Sequence, residues 1–182
     1  DVQPAKHRRG EDGLATHFQR LAQGTPEDVF LHHLQLSKHQ GLRLAEFLPR
    51  IEISASQLRQ VAATLHRRGK ARAVNADLGW YLHEQAFRHL TSELREHLAT
   101  FHRQHPLRPG TSLEDLRTKV RGLDERVCLL ALEVLQTQGE VVVERDRVRL
   151  ASHQIALDDA REQLLRQVEA AFLAGGYQPP RV

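Results

Sequence analysis

Apolar residues along this chain recur first at helical and then at alternating spacing, and the switch happens twice. The first copy sets Leu58, Val61, Ala62 and Leu65 on one helical face and stops at Gly69. It then passes into Ala71-Arg72-Ala73-Val74, a polar turn and Gly79-Trp80-Tyr81-Leu82. The second sets Cys128, Ala131, Leu132 and Leu135 on one face and stops at Gly139. It continues as Val141-Val142-Val143, a turn and Arg147-Val148-Arg149-Leu150. A helix that ends on glycine and gives way at once to two short strands predicts a C-cap followed by a β-hairpin. The two glycines stand 70 positions apart, so the pattern predicts two modules of one kind.

The remaining helices fall into place around these hairpins. Thr25-Pro26-Glu27-Asp28 starts a helix, with a capping hydroxyl, a proline where no N–H is needed and two acids at the positive end of the dipole. Its apolar face is Val29, Phe30 and Leu34, extended to Leu36. Leu42 to Leu48 predicts a second short helix ended by Pro49. Ile51 and Ile53 then run extended to Ser54, which forms a capping box with Gln57 and opens a third helix reaching Arg68. The first hairpin spans Lys70 to His83. In the second module a long helix from Glu84 to Gln104 carries the stripe Phe87, Leu90, Leu94, Leu98 and Phe101. Pro106-Leu107-Arg108-Pro109-Gly110 is a connection no helix crosses. Ser112, with Asp115 three residues on, caps a short helix containing Leu113, Leu116 and Val120. Asp124 caps the next, and the second hairpin spans Glu140 to Leu150.

Three helices and a hairpin make a winged helix. The expected class is mainly α with small antiparallel β-hairpins, as tandem winged-helix domains at 25–83 and 84–150. Residues 1–24 are expected to be a linker and an N-terminal helix with Leu14, Phe18, Leu21 and Ala22 on one face. Residues 151–182 are expected to be a connector and a helix from Asp158, with Leu164, Leu165, Val168, Ala171 and Phe172 on one side. That stripe needs a partner, which suggests the first helix of a truncated third module. The absence of any Met, even at position 1, suggests a piece of a longer polypeptide.

Composition narrows the function classes without choosing among them. Forty per cent of residues are hydrophobic but only nine are aromatic, so the cores are built from Leu, Val and Ala. No uninterrupted apolar run is long enough for a membrane span, and no apolar stretch follows Lys6-His7-Arg8-Arg9 to make a signal peptide. The single cysteine, Cys128, lies in an apolar helical run and reads as an inert core thiol in a reducing cytoplasm. Net charge is only +3, and Arg outnumbers Lys 22 to 4, a skew that GC-rich coding explains as well as nucleic-acid contact does.

The tandem arrangement, the segment Phe101-His-Arg-Gln-His-Pro106-Leu-Arg-Pro-Gly110 with Leu116-Arg117 after it, and the ending Leu150-Ala-Ser-His through Gly176-Tyr-Gln-Pro-Pro180 resemble the C-terminal region of the bacterial selenocysteine-specific translation elongation factor. The resemblance runs from about Asp12 to the end. In that family a GTPase resembling elongation factor Tu carries selenocysteinyl-tRNA, and four C-terminal winged-helix domains recognise the mRNA hairpin that recodes UGA. The resemblance therefore implies a non-catalytic arm holding the first two of those domains and the entrance to the third. It implies a cytoplasmic monomer that meets the hairpin through later domains, and selenocysteinyl-tRNA and the ribosome through its parent. GTP and magnesium would be cofactors of the parent alone. The family places hairpin reading in its last domain, so no RNA-contact residue carries over to a position here.

The residues themselves agree with a non-enzymatic reading. The one Gly-Lys pair, Gly69-Lys70, has Thr64 where a P-loop needs its leading glycine and Ala71 where it needs a hydroxyl. The twelve histidines, densest at His32-His33, His97, His102 and His105, lack closed metal-site spacing and default to solvent. The acids Glu114-Asp115 and Asp158-Asp159 stand at helix starts, where capping explains them. Phosphate contact is the remaining chemistry. In a winged helix the third helix usually enters a groove while the wing touches backbone, so both should be basic and exposed. The candidate RNA-phosphate contacts are Arg59, Arg67, Arg68, Lys70 and Arg72 in the first module and Arg145, Arg147 and Arg149 on the second wing. The second module's third helix is apolar almost all round, with Val127, Leu130 and Val134 off the core face. It is expected to pack on its own long helix or on the neighbouring module. The rival readings are a winged-helix DNA-binding transcription regulator and a protein-interaction scaffold.

Overall fold

Thr25 accepts from the Asp28 amide while the Asp28 carboxylate takes the Thr25 amide, and this reciprocal cap opens α1 (Pro26–Leu36). The structure, a computed structural model, describes residues 24–155 and 166–173. A 3₁₀ turn (Lys38–Gln40) leads to β1 (Leu42–Arg43), a one-turn α2 (Leu44–Phe47) and a second 3₁₀ turn (Leu48–Arg50). Then come α3 (Ala55–Arg67), β2 (Ala71–Asn75) and β3 (Trp80–His83). The second module repeats the order: α4 (Glu84–Gln104), β4 (Thr111–Ser112), α5 (Leu113–Lys119), α6 (Glu125–Thr137), β5 (Val141–Glu144) and β6 (Arg147–Leu150). The capping boxes or caps at Thr25, Ser54, Ser112 and Asp124 form where the sequence places them.

The repeat holds down to single hydrogen bonds. Lys70 N donates to Leu65 O at 2.9 Å, and Glu140 N donates to Leu135 O at 2.9 Å. Each is the six-to-one bond of a helix end turned by a left-handed glycine, with φ of +66° at Gly69 and +73° at Gly139. Leu44 N to Gly79 O has its counterpart in Leu113 N to Asp146 O, and Glu84 N to Lys70 O in Ala151 N to Glu140 O.

Each wing carries a third strand that the sequence pattern does not announce. The sheets run β1-β3-β2 and β4-β6-β5, all antiparallel. Leu42 and Arg43 pair with Tyr81 and Trp80, so the helix expected over Leu42–Leu48 is strand at its start, and its true α-helical part is a single turn. Long-range backbone pairing, which has no local period, overrides the helical spacing there. In the second sheet Gly110 is essential to that approach. A Cβ on Gly110 would stand 2.7 Å from the Val148 carbonyl oxygen, inside contact distance of the strand that β4 must reach.

Two cores form, and they meet at β3. The first contains Phe30, Leu34, Phe47, Leu58, Ala62, Leu65, Ala71 and Tyr81. The second is built on α4 and α6, and it also takes Trp80 and Leu82. Successive strand side chains point to opposite faces, so β3 divides its residues between the two modules. The indole N–H of Trp80 donates to Gln40 O at 3.0 Å within the first module, and His39 Nε2 donates to Arg121 O at 3.1 Å, which joins the two modules a second time.

Two side-chain expectations change. Leu36 is 58% exposed, because α1 ends there and Ser37 turns the chain away. On α4 the stripe closes on His102, which is buried, while Phe101 is only half-buried. Four residues beyond Leu98, His102 stays on the inward face. The expected helix over 12–23 lies outside the described residues, as do Asp158, Leu164 and Leu165. Residues 166–173 are helical and exposed, Val168, Ala171 and Phe172 included. Among the described residues no helix is long and apolar enough to cross a membrane.

Candidate nucleic-acid interface

The third helix of the first module, α3, buries Leu58, Ala62 and Leu65 and turns Ser56, Arg59, Gln60, Ala63 and Arg67 outward. Positions 56, 59, 60, 63 and 67 form one stripe at helical spacing. The helix contains no acid, so the stripe is polar and cationic without compensation on the same element. Arg59 stands at the rim of a groove of about 550 Å³ between this helix and the wing turn at Ala76–Gly79. A phosphate backbone seeks this combination: exposed donors on a rigid helix, with a wing beside it.

The eight candidate cations divide by what they already hold. Arg72 reaches Glu84 with two hydrogen bonds of 3.0 Å and lies 4.4 Å above the Phe87 ring. Burial draws the Glu84 carboxyl upward, but the Arg72 hydrogen bonds and charge, followed by those of Arg88, prevail and hold it below the ordinary value. Arg72 thus fastens the wing to α4. Arg68 pairs with Glu27 at 2.7 Å, and Arg149 with Glu144 at 3.3 Å. Arg67 is exposed, and its guanidinium donates to Thr64 Oγ1 at 3.4 Å. Arg59, Lys70, Arg145 and Arg147 are exposed, and no ion pair among the described residues involves them. Arg145, at φ +57°, holds the turn of the second wing.

The third helix of the second module faces inward. Val127, Cys128, Ala131, Leu132 and Leu135 are buried, and Leu130 and Val134 pack against the same core. This helix lies against α4 and β5, and also against β2 of the first module, whose Val74 joins the core. What it exposes is Glu125, Arg126, Leu129, Glu133, Gln136 and Thr137. Two acids against one Arg repel a phosphate backbone. The packing expected from its all-round apolar character is the packing observed.

Histidine chemistry departs from the expectation of solvent exposure at His102. Its Nε2 accepts from Leu150 N at 3.2 Å, and its ring stacks on His153 at 3.7 Å. Burial, with the His153 and Arg149 charges behind it, lowers its pKa below the usual value. Burial likewise pushes the Cys128 thiol up to about 11, well outside the reactive range. Among the described residues no group of three or more His, Cys, Asp or Glu side chains is placed to hold a metal ion.

A second cationic surface has no local signal along the chain. A cleft of about 630 Å³ lies between the 3₁₀ turn after α1 and the first half of α4, lined by Lys38, His39, His83, Arg88 and His89 together with Glu93. These residues come from segments 44 or more positions apart, and only the docking of the modules assembles them.

The fold and the surface together define a tandem winged-helix protein with a cationic first module. Residues 95–150 match the family model described as "Elongation factor SelB, winged helix". The selenocysteine-specific elongation factor of Desulfomicrobium baculatum is 25% identical over 176 residues, covering 96% of this chain. The chain spans only 27% of that protein's length. The mRNA-binding domain of elongation factor SelB from E. coli, solved in complex with SECIS RNA, aligns at 11% identity with a TM-score of 0.48, covering 69% of this chain and 96% of that one. The resemblance carried by the sequence, to the C-terminal winged-helix region of the selenocysteine-specific elongation factor, is thus borne out by the family model and the curated relative.

Proposed function

We propose that this chain is a non-catalytic arm of a selenocysteine-specific elongation factor. It links the part that binds GTP and selenocysteinyl-tRNA to the domain that reads the recoding mRNA hairpin. The observation that carries this is the asymmetry of the two modules. One turns an acid-free cationic helix outward, and the other uses its equivalent helix as an internal strut against both α4 and the first wing. Two independent readers would each keep the reading helix exposed.

On this reading the arm makes sequence-blind phosphate contacts through Arg59, Arg67 and Lys70, and through Arg145 and Arg147 at the second wing tip. Arg68, Arg72 and Arg149 serve the fold through their carboxylate partners. GTP, magnesium and the ribosomal work of recoding belong to the parent protein, in the cytoplasm, and the arm itself is a monomer.

Two measurements test this. The first is UGA recoding by the parent factor carrying this arm intact, deleted, or replaced by a flexible linker of equal span. A linker that restores recoding overturns the arm reading, because a rigid spacer would then be dispensable. The second is titration with the recoding hairpin, unrelated RNA and duplex DNA across salt. Weak RNA binding that falls steeply with salt is expected. Sequence-specific duplex DNA binding would establish a transcription regulator instead.

A further inference from the structure

We infer that the cleft between the modules is a second RNA-phosphate site, formed by Lys38 and Arg88 with His83 and His89 as accompanying donors. This rests on the RNA-contacting arm proposed above and names a contact that lies away from both the third helix and the wing tips.

The chemistry of the walls selects an anion. Lys38 projects from the 3₁₀ turn of the first module, and Arg88 and His89 from the exposed side of α4. Arg88 is 77% exposed and meets Glu84 through a single 3.3 Å contact, so most of its guanidinium is open to the cleft or solvent. His83 Nδ1 accepts from Gln85 N at 3.1 Å, which leaves the proton on Nε2 as a donor. His39 donates through Nε2 to Arg121 O, which fixes the cleft wall to the second module. Glu93, the one acid in the lining, has His97 at 3.9 Å, one turn further along α4.

A second, independent observation concerns the backbone. Lys38 has φ +51°, and only Arg145 shares this left-handed conformation among described non-glycine residues. The position follows the end of α1, where glycine is the residue of least cost and a side chain costs about 1 kcal/mol. A lysine held there at a cost in stability points to use of its ammonium. Strain of this kind concentrates where a side chain must be aimed. The other strained residue, Arg145, is itself a candidate phosphate contact.

The test uses the 182-residue chain, a fluorescent RNA hairpin of unrelated sequence, and salt between about 50 and 200 mM. Lys38→Gly suits the backbone, so it should melt no lower than the parent chain. Arg88→Gln and the double variant complete the set, and Arg126→Gln on the acidic face of α6 controls for loss of charge alone. Each cleft variant is expected to weaken RNA binding roughly threefold to tenfold and to flatten the salt slope by about one, with the control near wild type. If the chain binds RNA and the cleft variants match wild type, the cleft inference is overturned while the arm reading stands. If the control weakens binding as much as they do, the cleft inference is likewise overturned. If the chain binds no RNA even at low salt, the cleft inference falls, and the arm reading rests on the recoding test alone.

Discussion

Tyr81 and Leu82 are adjacent on β3, yet the first is buried in the core of one module and the second in the core of the other. A single strand therefore serves as the wall between two winged helices, and α4, which follows it without a linker, continues that wall. The same chain segment is the wing of the first module and part of the interior of the second.

Leu82→Ala should accordingly damage both modules. The side chain is fully buried, and its truncation is expected to cost about 2–5 kcal/mol. Urea unfolding followed by hydrogen exchange should show lost protection in α6 as well as in β2 and β3. A loss confined to the first module would refute the shared wall.

The Arg72–Glu84 pair should act on stability and leave RNA affinity almost untouched. Arg72→Ala leaves a largely buried carboxylate without its bidentate partner, an effect of about 1–2 kcal/mol once partial solvent screening is allowed for. Because the folded Glu84 pKa lies below its unfolded value, the pair stabilises above pH 4.5 and is lost as pH falls through the folded pKa. A double-mutant cycle with Glu84→Gln in denaturant, at pH 7 and pH 4, measures this coupling. Arg147→Ala should do the reverse, weakening RNA binding with stability within about 0.5 kcal/mol of wild type.

His102 should make the second module acid-sensitive. As its folded pKa is lowered, its contribution is complete above the ordinary value of 6.5 and declines as pH falls from there through the folded pKa. Protonation removes the lone pair that accepts Leu150 N and places charge beside His153 and Arg149. The melting temperature should therefore drop more between pH 7.5 and pH 5 in the wild-type chain than in His102→Asn, which starts lower. Equal drops would show that other groups carry the acid sensitivity.

Three glycines should rank by mechanism. Gly69→Ala and Gly139→Ala meet no neighbour and lose only the left-handed preference, about 1 kcal/mol each. Gly110→Ala drives a Cβ into the Val148 carbonyl and must displace β4, so its denaturation midpoint should fall further than either. Similar midpoints for all three would mean that the β4 approach is dispensable.

The sequence alone determined each element whose cause is local. The caps at Thr25, Ser54, Ser112 and Asp124 depend on a side chain three or fewer residues from the amide it meets. The helix ends at Gly69 and Gly139 depend on one residue's freedom at positive φ, and the span of α4 follows from its stripe. The inward turn of α6 could also be read, because apolar residues on most of its circumference left only a narrow polar edge for solvent.

What tertiary structure decided has no local signal. The strands at Leu42–Arg43 and Thr111–Ser112 exist only because a distant strand supplies their hydrogen bonds. The choice of His102 over Phe101, the commitment of Arg72 to Glu84, and the placing of Lys38 and Arg88 on one cleft all depend on which surfaces dock. A charge's partner lies in space, and periodicity along the chain reports only the face on which that charge stands.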